Sequence, residues 1–327
     1  MATKTVLEAI REALREEIQR DPNVILLGED IGVMGGVFRA TEGLLSEFGA
    51  ERVMDTPLAE SAIVGVAVGA AVNGMRPVVE MQFADFMYEA TDQLISEAAK
   101  LRYRSNGDFH CPIVVRAPVG GGVHGALYHS QNVEALFSHV PGLKVVLPST
   151  PYDAKGLLKS AIRDEDPVLF LEHKKTYRLI KGEVPEDDYT VPIGVADVKR
   201  PGSRVAVITY GYMVHLSLQA AAALAEEGID VEVMDLRTLR PLDEEAIITS
   251  AQRTGRILVV HEDTKALGIG AEVAALIGEE AFGFLDAPVT RLAAPEVPQM
   301  PFSPPLEEFC LPSEAQIKDA LRKLAVY

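Results

Sequence analysis

The sequence predicts an α/β fold in two domains, and three observations carry that expectation. Short apolar runs of strand length alternate with longer stretches of helical periodicity. Those runs are apolar at successive positions rather than at every second one, the pattern of a mainly parallel sheet covered on both faces. The 327 residues exceed what one ordinary core holds, and the alternation breaks once and then resumes.

In chain order, Thr5 to Glu8 reads as a capping box opening a helix whose apolar stripe is Val6, Ile10, Ala13, Leu14 and Ile18. Val24 to Leu27 is a buried strand stopped by Gly28-Glu29-Asp30, and a helix is expected from about Thr41 to Phe48. Val78 to Gln82 is the next strand, followed by a long helix from Asp85 to Arg104. Ile113 to Arg116, Lys144 to Leu147 and Val168 to Leu171 are further strands, and Pro151 sits at the favoured first position of the helix running to Ile162. Residues 173–203 are rich in charge, Pro and Gly and read as a connection. Beyond them come strands at Val205 to Thr209, Val231 to Asp235, Ile257 to Val260 and Val289 to Leu292. Helices between those strands, and a last one from near Ser313, complete a second α/β domain.

Composition narrows the function. Hydrophobic residues at 48% and charged residues at 24% fit a soluble globular protein. No apolar run reaches the roughly 18 residues of a membrane span, and the N-terminus leads into an amphipathic helix rather than a secretory segment. A net charge of −17 argues against nucleic-acid binding, which needs a basic footprint. It is compatible with docking to a basic partner and equally with plain solubility. Cys111 and Cys310 are too few for a disulfide framework, so a reducing, cytoplasmic setting is expected.

Glu60 stands where Met54-Asp55-Thr56-Pro57-Leu58-Ala59-Glu60-Ser61 runs into Ala62-Ile63-Val64-Gly65-Val66-Ala67-Val68-Gly69. The helix that follows has no polar face and is expected to be buried. A carboxylate at its mouth is poorly solvated, which suits proton-sharing chemistry. The plain alternative is an acidic first-turn residue complementing the helix dipole. The loop Gly120-Gly121-Gly122-Val123-His124-Gly125 lacks the GxxxxGK[ST] pattern of a phosphate cradle. Neither Gly28-Glu29-Asp30 nor Gly268-Ile269-Gly270 completes the G-x-G-x-x-G of a nicotinamide enzyme.

Four segments in order carry a resemblance: Thr56-Pro57-Leu58-Ala59-Glu60, Gln82-Phe83-Ala84-Asp85-Phe86, the run ending His129-Ser130-Gln131, and Pro141-Gly142-Leu143-Lys144-Val145-Val146. From about Thr5 to the C-terminus the chain resembles the beta subunit of thiamine-diphosphate-dependent 2-oxo acid dehydrogenases, the E1 component. The resemblance implies a pyrimidine-type thiamine-diphosphate-binding domain over residues 1–180, a linker at 181–203 and a transketolase-like C-terminal domain at 204–327. It gives Glu60 the carboxylate role at the aminopyrimidine N1′, lays Leu58 against the ring, stacks Phe86 on it and brings Gln82 near it. It makes His129 the active-site histidine that positions the 2-oxo acid and supplies a proton during acyl transfer, with His124 the weaker candidate. It also implies a potassium site from Ile113, Ala161, Ile162, Asp164 and Asp166, although relatives often carry Asn at the last position. Oxygen-only ligation suits such a hard cation.

Thiamine enzymes bind the magnesium diphosphate through a GDG motif, and the only Gly-Asp pair here, Gly107-Asp108, is followed by Phe109. The resemblance assigns that half of the site to a separate alpha subunit in an α2β2 heterotetramer docked on an E2 acyltransferase core. The absent motif, with the chain length, sets aside a single-chain transketolase. A noncatalytic scaffolding subunit remains the alternative from another class. Gly125 to Gln131 and Gln82 to Asp85 look closer to branched-chain enzymes. Gly36-Val37-Phe38-Arg39-Ala40-Thr41-Glu42-Gly43 also resembles pyruvate dehydrogenase, and acetoin dehydrogenase is a further alternative. Branched-chain 2-oxo acids are the expected substrates.

Overall fold

The computed structural model describes residues 1–298 and 300–327, which form two compact units. The first comprises Met1–Val119 and Leu136–Ile193, the second Gly120–Ala135 and Gly194–Tyr327.

The first unit begins with β1 (Ala2–Thr5) and α1 (Val6–Arg20). The Thr5 hydroxyl accepts the Glu8 N–H while the Glu8 carboxylate accepts the Thr5 N–H, the reciprocal cap expected there. Then come β2 (Val24–Gly28), α2 (Leu44–Phe48), β3 (Val53–Asp55), α3 (Glu60–Val72) and β4 (Arg76–Glu80). α2 starts later than its periodicity predicts because Gly43, at φ 85°, is left-handed and cannot lie inside a helix. The expected long helix from Asp85 is a composite. It runs as 3₁₀ over Ala84–Ala90, π over Gln93–Glu97, 3₁₀ over Ala98–Lys100 and α only in α4 (Leu101–Arg104). Hydrophobic periodicity cannot separate these helical forms.

β5 (Val114–Val119), α5 (Glu134–Ser138), β6 (Lys144–Val146), α6 (Pro151–Arg163), β7 (Val168–His173), α7 (Thr176–Leu179) and β8 (Lys181–Val184) follow. The strands line up as β6-β7-β5-β4-β2-β3, each neighbouring pair parallel. α1 and α6 pack on this sheet through Ile10, Leu14, Ile18, Leu157 and Leu158 against Leu26, Val78 and Phe170. β8 lies in the stretch read as a connection, yet pairs antiparallel with β1. Across the sheet the buried Arg116 guanidinium bonds Glu80 of β4 at 2.7 Å and Glu172 of β7 at 2.7 and 3.0 Å. Burying such a charge is tolerable only with partners of this kind.

The second unit holds β9 (Asp197–Arg200), β10 (Val205–Thr209), α8 (Met213–Ala225), β11 (Val231–Asp235), the short β12 (Thr238–Arg240) and α9 (Glu244–Thr254). It continues with β13 (Ile257–Thr264), α10 (Ile269–Glu280), β14 (Thr290–Ala294), α11 (Pro304–Cys310) and α12 (Glu314–Ala325). Its five-stranded sheet has the order β14-β13-β10-β11-β9, parallel except for β9. α8 and α12 cover one face through Ala220, Leu224, Ile317 and Leu321 over Val207, Val233, Leu258 and Val260. Ser313 caps α12 in a second capping box with Gln316. No helix among the described residues is long and apolar enough to cross a membrane.

Candidate active site

The carboxyl ends of β2 and β3 lie side by side, with Gly28 paired to Asp55 and the Thr56 N–H donating to the Gly28 carbonyl at 3.0 Å. In open parallel sheets ligands bind outside this edge. The chain turns there into α3, whose first residue is Glu60, only 8% exposed. Ala59 is the N-cap and offers no capping side chain, so the first-turn N–H groups are left to other acceptors.

One acceptor is Glu29, which follows β2 directly and was not singled out from the sequence. It is 7% exposed and takes the Ala59 N–H, while its Oε1 has no hydrogen-bond partner among the described residues. Burial first, then the charges of Glu60 and Asp30, push its carboxyl above the usual range. Asp30 beside it has a left-handed backbone, φ 57°, the kind of local strain that gathers at functional sites. The readable signal was position: an acidic residue directly after a buried strand of a parallel sheet stands on the ligand-binding edge.

Gln82 reaches the same edge, its side-chain nitrogen donating to Asp30 across a long 3.4 Å. Leu58 projects from the turn before α3 and is 78% exposed. Phe86 is half-buried on the 3₁₀ segment, edge-on to Phe83 at 5.7 Å, and Phe83 in turn meets Phe38 at 5.5 Å. Within the first unit, Glu29, Asp30, Glu60 and Gln82 therefore form one acidic, hydrogen-bonding edge. α3 itself corrects an expectation. It buries Ile63, Val64, Ala67 and Ala71, but its other side, including Gly65, Val66 and Gly69, is exposed, with Val66 at 58%. An all-apolar helix needs neighbours on every side, and this chain supplies them on one.

His129 belongs to the second unit, on the Gly120–Ala135 segment, and is exposed. His124 on the same segment lies with Nδ1 at 2.6 Å from the buried Glu307 carboxylate. Both side chains are exposed.

Several oxygens of the expected potassium site accept donors from within the chain. Arg76 donates to the Ile162 and Asp164 carbonyls at 3.1 and 2.9 Å, and the Ile113 and Ala161 carbonyls accept from Val168 and Asp164 N–H. Lys144 bonds both Asp164 carboxylate oxygens at 2.7 and 2.6 Å, and Arg102 bonds Asp166 at 2.6 Å. Each carbonyl that accepts one donor keeps a second lone pair, and the second Asp166 carboxylate oxygen lies 3.9 Å from the Lys144 ammonium. Among the described residues no group of three or more His, Cys, Asp and Glu side chains is placed to hold a metal.

Comparison with known proteins agrees with this architecture. Residues 2–180 match the family "Transketolase, pyrimidine binding domain" and residues 194–317 the family "Transketolase, C-terminal domain". The chain is 61% identical to the 2-oxoisovalerate dehydrogenase subunit beta of Bacillus subtilis (strain 168), over all of both chains. It is 53% identical to the pyruvate dehydrogenase E1 component subunit beta of the same organism, over 99% of each. It is 49% identical to the beta subunit of the acetoin:2,6-dichlorophenolindophenol oxidoreductase of Cupriavidus necator, over 99% of this chain and 98% of the relative. Among solved structures, a split-gene transketolase described as an inactive beta4 tetramer matches with a TM-score of 0.79 and 26% identity, over 98% of each chain. A parallel-sheet unit with a buried glutamate at the carboxyl edge of its strands, a transketolase C-terminal unit, and full-length likeness to two such subunits lead to one assignment: the chain belongs to the family of E1 beta subunits of thiamine-diphosphate-dependent 2-oxo acid dehydrogenases.

Proposed function

We propose that this chain, joined to an alpha subunit, carries out the oxidative decarboxylation of branched-chain 2-oxo acids and the reductive acylation of a lipoyl group. The observation that carries the site reading is the buried Glu60 at the start of α3, on the edge where parallel sheets bind ligands. Two buried oxygens beside it, Glu29 Oε1 and Thr56 Oγ1, lack partners among the described residues, which fits the amine and ring nitrogens of an aminopyrimidine.

Glu60 would hold a proton toward N1′, Phe86 and Leu58 would contact the aminopyrimidine ring, and Gln82 would hydrogen-bond beside it. When bound, thiamine diphosphate supplies the carbon nucleophile and the electron sink. In the net reaction the bond between the carboxylate and the carbonyl carbon breaks and carbon dioxide leaves. The acyl carbon then bonds one lipoyl sulfur, while the two electrons and a proton convert the other sulfur to a thiol. His129 supplies a proton during this transfer, a role suited to an imidazole.

Magnesium and the diphosphate are held mainly by the alpha subunit, because this chain has no GDG motif. The exposed apolar side of α3 supports an α2β2 assembly in which another chain covers it. The acyltransferase E2 is the partner that carries the lipoyl group. Branched-chain preference rests on the 61% identity to the 2-oxoisovalerate enzyme against 53% to the pyruvate enzyme. One methylene in an apolar pocket discriminates by only about 1–3 kcal/mol. The reconstituted alpha–beta pair should therefore show kcat/KM for 3-methyl-2-oxobutanoate roughly tenfold or more above that for pyruvate. A preference for pyruvate would move the chain to the pyruvate branch, and no turnover of any 2-oxo acid would leave a scaffolding subunit. The oxygen set around Asp164 and Asp166 enters the proposal as a potassium site. Equal unfolding temperatures in potassium and choline chloride would remove it.

A further inference from the structure

The segment Gly120–Ala135 follows β5 in sequence but is part of the second unit. Carboxylates hold it at both ends. At the first, the Gly121 N–H donates to Glu262 at 3.2 Å. The Gly122 and His124 N–H groups share one oxygen of Glu307, at 2.9 and 3.2 Å, and His124 Nδ1 lies 2.6 Å from the other oxygen. At the far end the Tyr210 hydroxyl donates to Glu134 at 3.1 Å, and the Ala135 N–H bonds Asp263.

Between these anchors the chain closes on itself. The Gly120 N–H donates to the Gln131 carbonyl at 3.2 Å, and the Gln131 amide to the Leu127 carbonyl at 3.2 Å. A Cβ on Gly125 would lie 2.7 Å from the His129 carbonyl. His124 and Ala126 adopt left-handed backbones, φ 56° and 58°, which a non-glycine residue keeps only where its surroundings impose them. The result is a compact loop with neighbouring ends that presents His129 to solvent. Glu307, on α11 and only 2% exposed, reaches two of its backbone N–H groups and an imidazole together.

We propose that Glu307 is a positioning residue for His129, fixing the glycine end of the loop so that the imidazole is presented in one orientation. The proposal rests on the reading of His129 as the acyl-transfer histidine. Glutamate suits the task because a carboxylate carries two acceptor oxygens, and donors aimed at a charged acceptor bind more strongly than at a neutral one. Glutamine keeps the shape and one acceptor for the two backbone donors. Its amide N–H₂ can face His124 Nδ1 once the imidazole carries its proton on Nε2, so it serves as the conservative variant.

The test separates two reactions of the reconstituted alpha–beta complex. In one, a lipoylated domain accepts the acyl group and the thioester is read by mass spectrometry. In the other, 2,6-dichlorophenolindophenol takes the two electrons and water releases the acyl group as its carboxylic acid, with no transfer to sulfur. Glu307→Ala should slow lipoyl acylation by about tenfold to a hundredfold, the scale of a misplaced group, and slow dye reduction far less. Glu307→Gln should restore most of the loss, and Glu307→Ala on a His129→Ala background should add no further loss. Equal slowing of both reactions, no rescue by glutamine, or additive losses would overturn the proposal. Amide hydrogen exchange of the unmutated complex gives a check without any variant, since slow exchange at Gly122 and His124 is expected and rapid exchange there overturns it. His129→Ala alone keeps the two readings apart. If it leaves lipoyl acylation unimpaired, the reading of His129 fails; if it impairs acylation while Glu307→Ala does not, the positioning proposal fails.

Discussion

Glu60 and Glu29 are two carboxylates at one helix mouth with unequal surroundings. Glu60→Gln should leave folding and assembly intact while removing the proton exchange with N1′. Loss of a positioned acid–base group costs about 10²–10⁴ in rate. Exchange of the thiazolium C2 proton, followed by NMR in the reconstituted complex, should fall accordingly, and a near-normal rate would refute the role. Glu29 bears on stability instead. Its folded carboxyl is raised by burial and by Glu60, so the folded state binds its proton more tightly than the unfolded chain does. That contribution is fully present below the unfolded carboxylate pKa, about 4.3, and is lost as pH rises through the higher folded value. Glu29→Gln should therefore gain thermal stability relative to the unaltered chain as pH increases from about 4 toward neutrality. An unfolding temperature that drops at neutral pH would mark Glu29 as an ordinary structural group. Glu60 was legible because a recognisable motif surrounds it. Glu29 was not, because Gly28-Glu29-Asp30 resembles any acidic turn until the strand edge beneath it is known.

At the scale of elements, α3 is the informative helix. A Cβ at Gly69 would meet nothing within 4 Å, and glycine in a helix interior costs about 1 kcal/mol relative to alanine. Gly69→Leu should therefore leave this chain's unfolding temperature unchanged or slightly higher, yet block pairing with the alpha subunit if the exposed face of α3 is the one proposed to receive it. Size-exclusion chromatography of the mixed subunits reads the outcome, and normal heterotetramer formation would show that the face lies elsewhere. Elements with a chemical start signal were legible: α1 from Thr5 and Glu8, α6 from Pro151, α12 from Ser313. Those fixed by partners distant in sequence were not. β1 and β8 are short, half-polar strands that exist as each other's edge, which no local pattern announces. The composite helix after Ala84 hides because 3₁₀, π and α turns share similar apolar spacing over so few residues.

For the whole chain, the alternation of strands and helices foretold both sheets. It could not foretell that Gly120–Ala135 would pack with the later unit, because the acceptors that hold its backbone, Glu262 and Glu307, lie far along the sequence. The sulfur content of the chain has its own consequence. Both cysteines are free and buried. Burial, then the nearby Asp166 charge, pushes the Cys111 thiol up to about 12, and burial with Glu307 raises Cys310. Only a thiolate attacks a disulfide. A native complex should consequently leave this chain's thiols unlabelled by an aromatic disulfide reagent until it is unfolded, and prompt labelling would contradict their burial. A dithiolane brought by the proposed partner would thus meet no accessible thiolate of this chain with which to exchange.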